Sequence, residues 1–291
     1  MKTKKTLYYI ALMPISWLPL SILYLISDLI YLLLYRAFAY RKTVVRENLT
    51  KSFPEKSLDE IKEIEKAFYK HLADIFVEGL KVISIRKNNL LKRYRCINPE
   101  LITPYFQEPK SLILVSAHYN NWEYMVASLG LQFDFHGVGV GKRMSDKAFE
   151  SFMHERRTRY GTEVCYNDNT TETFENNLGR PTVYMLLADQ NPNDENKSYW
   201  LSFLNQDTAT IYGPEYLAKK YDFPVFYYTV NKVRRGYYEF ELSLIENNPQ
   251  ASKYGDITES HFKTLENNII RRPEFWLWSH RRWKFKRKNN N

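Results

Sequence analysis

The chain lacks the residue patterns that mark several common chemistries. Its two cysteines, Cys96 and Cys165, have no C-x-x-C spacing. That excludes a disulfide framework and a zinc-ligand set, and it fits a reducing compartment. One disulfide between the two is the single pairing left open. No Gly-x-Ser-x-Gly elbow occurs, which disfavours a serine hydrolase, and no His-Glu-x-x-His occurs, which disfavours a zinc protease. The stretch Gly137-Val-Gly-Val-Gly141-Lys142 invites a phosphate-loop reading. It has His136 where the first glycine belongs and Arg143 where Ser or Thr is needed. It reads instead as a strand whose small residues let another backbone approach. Internal repeats and low-complexity linkers are absent, so 291 residues suit one large domain with an anchor, or at most two domains.

Acids are the minority charge: 33 Asp and Glu against 42 Lys and Arg leave a net +9. Charge alone leaves a solvated basic surface, nucleic acid, anionic headgroups and an acidic protein partner all open. Apolar residues supply 44% of the chain, enough to bury a core and too many for a disordered chain. Aromatics reach 16%, with 23 Tyr, and such residues suit membrane interfaces and apolar pockets with one wet end.

Residues 7–35 are dominated by Leu, Ile, Tyr, Trp and Met, interrupted by Pro14, Ser16, Pro19, Ser21, Ser27 and Asp28. A helix needs about 20 apolar residues to cross a bilayer core, and this run exceeds that. Lys2, Lys4, Lys5 and Ala37-Phe-Ala39 resemble a signal peptide, but the run is longer than an h-region of about 7–15 residues. Two readings of the anchor are open: a span, or a monotopic helix pair broken near Pro19. Asp28 must face protein or an interface in either. The small downstream excess of Lys and Arg (Arg36, Arg41, Lys42, Arg46) favours a cytoplasmic catalytic part. The expected division is an anchor over 1–40 and a catalytic domain over 41–288.

Ser57 followed by Glu60 forms a capping box, and Ile61, Ile64, Phe68, His71, Leu72 and Ile75 make one helical stripe, predicting a helix over 57–85. His71 is then a core-edge residue rather than a ligand. From residue 111 onward, short apolar runs alternate with helical patterns. Strands are predicted over 111–116, 135–140, 163–166, 182–187, 225–230 and 237–245, and helices over 122–129, 146–160, 170–177, 212–221 and 256–272. This pattern predicts an α/β fold, an αβα sandwich with a mostly parallel central sheet. Functional sites in such sheets gather beyond the carboxyl ends of strands.

His118 follows the first of those strands directly. Tyr119-Asn120-Asn121 turns the chain, an Asn can cap the helix that begins near Trp122, and Glu123 falls in its first turn. A carboxylate within reach can hold one ring nitrogen and leave the other facing substrate. That is the base-and-orienter arrangement needed for hydroxyl attack on an acyl carbon. The spacing alone fits a structural His–Glu pair equally well.

At these residues the sequence resembles the late acyltransferases of lipid A biosynthesis, the lauroyl/myristoyl transferase family. The resemblance runs over nearly the whole chain in the family's order. After the anchor come Arg46-Glu-Asn-Leu49 and Ser52-Phe-Pro54, then the His118/Glu123 box and Arg157-Thr-Arg159-Tyr-Gly161. Leu187-Ala-Asp189-Gln190-Asn-Pro192 follows, then 203–217 with Gly213-Pro214, and last Pro273-Glu-Phe-Trp-Leu-Trp-Ser-His-Arg-Arg-Trp-Lys284. Two positions depart: Gly141-Lys142-Arg143 stands where many members have Tyr-Arg-Pro, and Asn205 where many have Gly. Both bear on the acceptor more than on the reaction.

The resemblance implies a glycerolipid-acyltransferase-like fold. It implies acyl transfer from acyl carrier protein to a hydroxyl of a lipid A precursor, at the cytoplasmic face of the inner membrane. It places the catalytic pair at His118 and Glu123, oxyanion or acceptor-phosphate binding at Arg157 and Arg159, and a further acid at Asp189. By spacing alone 156–159 is a solvated helix face and Asp189 a strand-end cap. No metal and no cofactor are expected; the carrier thioester is a co-substrate. The expected partners are acyl carrier protein, an anionic lipid acceptor and the membrane. The segment 271–288 mixes Arg271, Arg272, Arg281, Arg282, Lys284 and Lys288 with Phe275, Trp276, Trp278, Trp283 and Phe285. Nucleic acid and a membrane surface both suit that mix. The apolar N-terminus selects the membrane, and no nucleic acid is expected. His280 reads as structural. Two alternatives stay in view: an aminolipid or lysolipid acceptor, and a non-catalytic protein that binds anionic lipid.

Overall fold

The computed structural model describes residues 2–107 and 110–287. Lys288 and the Asn289-Asn290-Asn291 end lie outside the described residues. The N-terminal third is helical: α1 (Lys2–Trp17), α2 (Leu20–Leu32), α3 (Lys42–Ser52), α4 (Leu58–Val82) and α5 (Lys87–Arg93). A short strand β1 (Tyr94–Cys96) and α6 (Thr103–Gln107) lead to the alternating part. There β2 (Leu112–Ser116), α7 (Trp122–Gln132), β3 (His136–Gly141), α8 (Lys147–Thr158), β4 (Glu163–Tyr166), α9 (Thr170–Asn176) and β5 (Thr182–Leu187) follow in turn. A hairpin, β6 (Ser198–Phe203) and β7 (Gln206–Ile211), precedes α10 (Gly213–Tyr221), β8 (Val225–Arg234), β9 (Tyr237–Glu246) and α11 (Asp256–Arg271).

Seven strands form one sheet in the order β1-β9-β8-β2-β5-β3-β4. Every neighbouring pair is parallel except β8 with β9. The continuous apolar strands explain the layering, because successive side chains point to opposite faces. Leu112, Leu114, Val183 and Met185 join one core with Tyr124 and Leu129 of α7. Ile113, Val115, Tyr184 and Leu186 join the other, with Leu217 of α10 and Leu265 of α11. Helices therefore cover both faces, as the alternation predicts.

Local signals locate the elements well. Ser57 Oγ accepts from Glu60 N–H at 3.3 Å, and the Glu60 carboxylate accepts from Ser57 N–H at 2.8 Å, completing the capping box of α4. His71 is buried edge-on to Phe275, with ring centroids 4.8 Å apart. Gly137 earns its place by close approach: a Cβ there would lie 3.1 Å from the Gly130 nitrogen of α7. Cys96 and Cys165 are both free. The hairpin was not among the predicted strands. Its turn places Leu204 and Asn205 at φ +49° and +61°. Asn tolerates that left-handed region, so Asn205 meets the same backbone need as a glycine there.

The apolar N-terminus is two helices, broken at Leu18-Pro19. Among the described residues, Leu20–Ala37 is the one segment long and apolar enough to cross a membrane. In the structure it packs on α4, with Leu23 and Val77 buried together.

Candidate active site

Sheet register brings together two residues far apart in sequence. On the adjacent parallel strands β2 and β5, Ser116 pairs with Leu187. Two residues further on, His118 stands beside Asp189, with Nδ1 and Oδ1 2.8 Å apart. Asp189 is buried, and its Oδ2 accepts the indole N–H of Trp276 at 2.9 Å. Burial is the largest single influence on this carboxyl and acts to raise its pKa. The His118 charge and the hydrogen bonds from His118 and Trp276 together outweigh it, and the pKa falls to about 2. Ionised, Asp189 can only accept, so Nδ1 carries a proton, and in the neutral ring the lone pair lies on Nε2. The His118 side chain is 21% exposed. Its ring meets the Trp122 ring edge-on at 5.2 Å, and the Gln190 amide nitrogen lies 3.3 Å from Nε2.

The turn after His118 is fixed from several sides. Asn120 adopts φ +57°, is fully buried and donates its side-chain N–H to the Val230 carbonyl at 2.7 Å. Asn121 caps α7, accepting from Tyr124 N–H at 2.8 Å. Its amide donates to Glu78 at 2.6 Å, and Tyr24 and Tyr238 donate to the same carboxylate at 2.8 Å each. Burial pushes the Glu78 carboxyl up. This buried glutamate on α4 thus supports the start of α7, a role the helical stripe of α4 did not signal.

Glu123 is not the partner of His118. Its oxygens accept from Arg157 instead, at 2.7 Å from Nη2 to Oε1 and 3.1 Å from Nε to Oε2. The reason is the helix: once α7 starts at Trp122, Trp122 fills the space beside the imidazole and Glu123 turns to α8. The pair is largely buried, and the Glu123 charge raises the Arg157 pKa. Arg159 does not join this group. Its guanidinium binds the carbonyls of Val82, Ile83 and Ile85, closing the end of α4 where carbonyls lack helical partners. Of the two arginines expected together, Arg157 reaches Glu123 and Arg159 does not.

The C-terminal aromatic block also departs from expectation. Tyr119 and Trp276 form an antiparallel bridge, and Leu277 N–H donates to the His118 carbonyl at 3.1 Å. Trp276 and Trp278 are buried, and Arg282 is 1% exposed with its Nη1 donating to the Ala209 carbonyl at 2.8 Å. These residues build the wall of the site rather than a headgroup-facing surface; Arg281, Lys284 and Arg287 remain exposed. Asn48, inside the Arg46-Glu-Asn-Leu49 motif, holds the block by donating to the Trp278 and His280 carbonyls at 2.9 Å each. His280 accepts from Asn191 N–H at 3.2 Å, and burial pushes its pKa down to about 4. Among the described residues no three His, Cys, Asp or Glu side chains are grouped to hold a metal ion.

An imidazole held by a buried carboxylate at the carboxyl ends of parallel strands is the equipment of a group-transfer enzyme that activates a hydroxyl. The chain belongs to the bacterial lipid A biosynthesis acyltransferases, whose family model matches residues 2–285. Comparison with curated proteins finds no match. Family membership makes the protein an acyltransferase with a lipid substrate.

Proposed function

We propose that this enzyme moves a fatty acyl chain from acyl carrier protein to a hydroxyl of a lipid A precursor, at the cytoplasmic face of the inner membrane. The observation that carries the reading is the His118–Asp189 contact, which leaves Nε2 as the one ring nitrogen able to take a proton. His118 Nε2 removes the acceptor proton as the hydroxyl oxygen attacks the thioester carbonyl. Asp189 holds the tautomer and stabilises the imidazolium, a contribution of roughly 10²–10⁴-fold. The tetrahedral intermediate collapses, the carrier thiolate leaves, and it recovers the proton from His118. The products are the ester and the free carrier thiol. Arg157, held by Glu123, supplies positive charge to the oxyanion. No step needs a metal or a cofactor. The net charge of +9 suits both an acidic carrier and an anionic acceptor, and residues 1–40 serve as the anchor.

The test is carrier-dependent acyl transfer by the full-length protein in detergent, with the lipid A precursor as acceptor. His118→Ala should abolish product. Equal activity in wild type and His118→Ala would sink the mechanism. Acylation of an aminolipid or lysolipid, with none of the lipid A precursor, would overturn the acceptor and leave the mechanism standing.

A further inference from the structure

The apolar segment is fastened to the globular part across its middle, where a membrane span would have to be bare. Leu20 and Leu23 of α2 pack with Val77 of α4, and Tyr35 packs on Tyr69 with centroids 5.4 Å apart. Between these ends lie polar contacts. The Tyr24 hydroxyl donates to Glu78 at 2.8 Å, the Ser27 hydroxyl to Asp74 at 2.8 Å, and Asp28 receives Arg235 at 2.7 Å. Asp74 also binds Arg235 and Lys232. The first helix is held too: Asp146 receives Lys4 at 2.6 Å and Tyr8 at 3.0 Å. Lys81 and Ser84 bind the carbonyl of Ser16 near its end.

Crossing a bilayer would force one of two costs. If α2 crossed while docked, Asp74, Glu78, Lys232 and Arg235 would enter hydrocarbon with it, and ionised groups there are strongly disfavoured. If α2 crossed alone, it would carry Asp28 into lipid, take the Ser27 hydroxyl from Asp74 and the Tyr24 hydroxyl from Glu78, and open the apolar seam around them. The outward faces suit a different placement. On α2, Ile22, Leu25, Leu29 and Leu32 are exposed at helical spacing, and on α1 so are Leu7, Ile10 and Trp17. Trp17 ends one stripe, and Arg36 and Phe38 end the other, all exposed. Lys70 lies over the Tyr31 ring at 5.6 Å. Rings and cations at the ends of an apolar stripe match the headgroup level of an anionic bilayer.

We propose that α1 and α2 lie in the plane of one leaflet of an anionic phospholipid bilayer, without crossing it, while staying docked on α4 and α8. The placement holds whatever the acyl donor or acceptor.

The experiment uses the full-length chain with Cys96→Ser and Cys165→Ser, carrying a single cysteine at either Thr3→Cys or Thr43→Cys. Inner-membrane vesicles of both orientations are treated with a membrane-impermeant maleimide. Labelling of both positions from the same side is expected; labelling from opposite sides overturns the proposal. A second measurement uses Leu25→Glu with Leu29→Glu, both exposed and so compatible with folding. Sedimentation with phosphatidylglycerol–phosphatidylethanolamine vesicles should fall more than tenfold. Unchanged vesicle binding overturns the proposal, because the stripe then does not meet lipid.

Discussion

Two carboxylates stand close to the turn after β2, and their surroundings divide their work. Asp189 is 2% exposed, gives one oxygen to His118 and the other to Trp276, and stays ionised down to about pH 2. Glu123 is 16% exposed and gives its oxygens to Arg157. The first acid is 71 residues from the histidine it holds; the second, five residues from that histidine, holds something else. Neighbourhood in a parallel sheet follows register across strands, whereas neighbourhood at a helix start follows the rotation of the helix.

The comparison breaks first at Asp189. Asp189→Asn should cut turnover by about 10³–10⁴-fold by presenting the wrong tautomer, with little change in KM. A loss no larger than that of Glu123→Gln would mean that the two acids have been ranked wrongly. Next is Arg157→Ala, with an expected loss of about 10²–10³-fold, as for an oxyanion donor. In a double-mutant cycle, adding Glu123→Ala should cost little more, because the glutamate acts through the arginine. Additive losses would give Glu123 a separate role.

Acid should weaken the Asp189 side by a known route. Burial pushes the pKa of His261 down from 6.5 to about 4, and that of His280 likewise. Between those values the unfolded chain binds more protons, so stability falls as pH drops from about 6.5 and the loss is complete below about 4. The His261 share is about 3 kcal/mol. Thermal melts at pH 7, 5.5 and 4 should show this, with a flatter profile in His261→Gln. The smallest effect expected is for Trp276→Phe, which keeps the ring and removes one donor to a charged oxygen. About tenfold in turnover should be lost, and full activity would show that His118 alone holds Asp189.

Much of the fold was legible because its signals are local. The Ser57–Glu60 box, the 163–166 and 182–187 strands, and the Asn that caps α7 each depend on residues within one turn or one strand. What escaped depends on distance. Three-residue β1 is too short for any period, and the 198–211 hairpin alternates too weakly. The family resemblance joins Arg159 to Arg157, spacing alone giving a solvated helix face, yet the target of Arg159 is the end of α4. The aromatic and basic C-terminus looked like a surface because cations usually are. Long-range contacts, which composition does not encode, draw two of its residues inside: the Tyr119–Trp276 bridge and Asp189 hold Trp276, and the Ala209 carbonyl holds Arg282.

Glu78 carries a consequence for anyone preparing this protein. Its carboxylate is shared between Tyr24 in the apolar helix and Asn121 beneath the His118 turn. Cutting away residues 1–40 to gain a soluble fragment would remove that donor and the Ser27 hydroxyl on Asp74, and would uncover Val77. The truncated chain should express poorly or lose activity for reasons unrelated to lipid. Replacing the outward Leu25 and Leu29 with polar residues leaves those ties intact, and is the better route to a detergent-free enzyme.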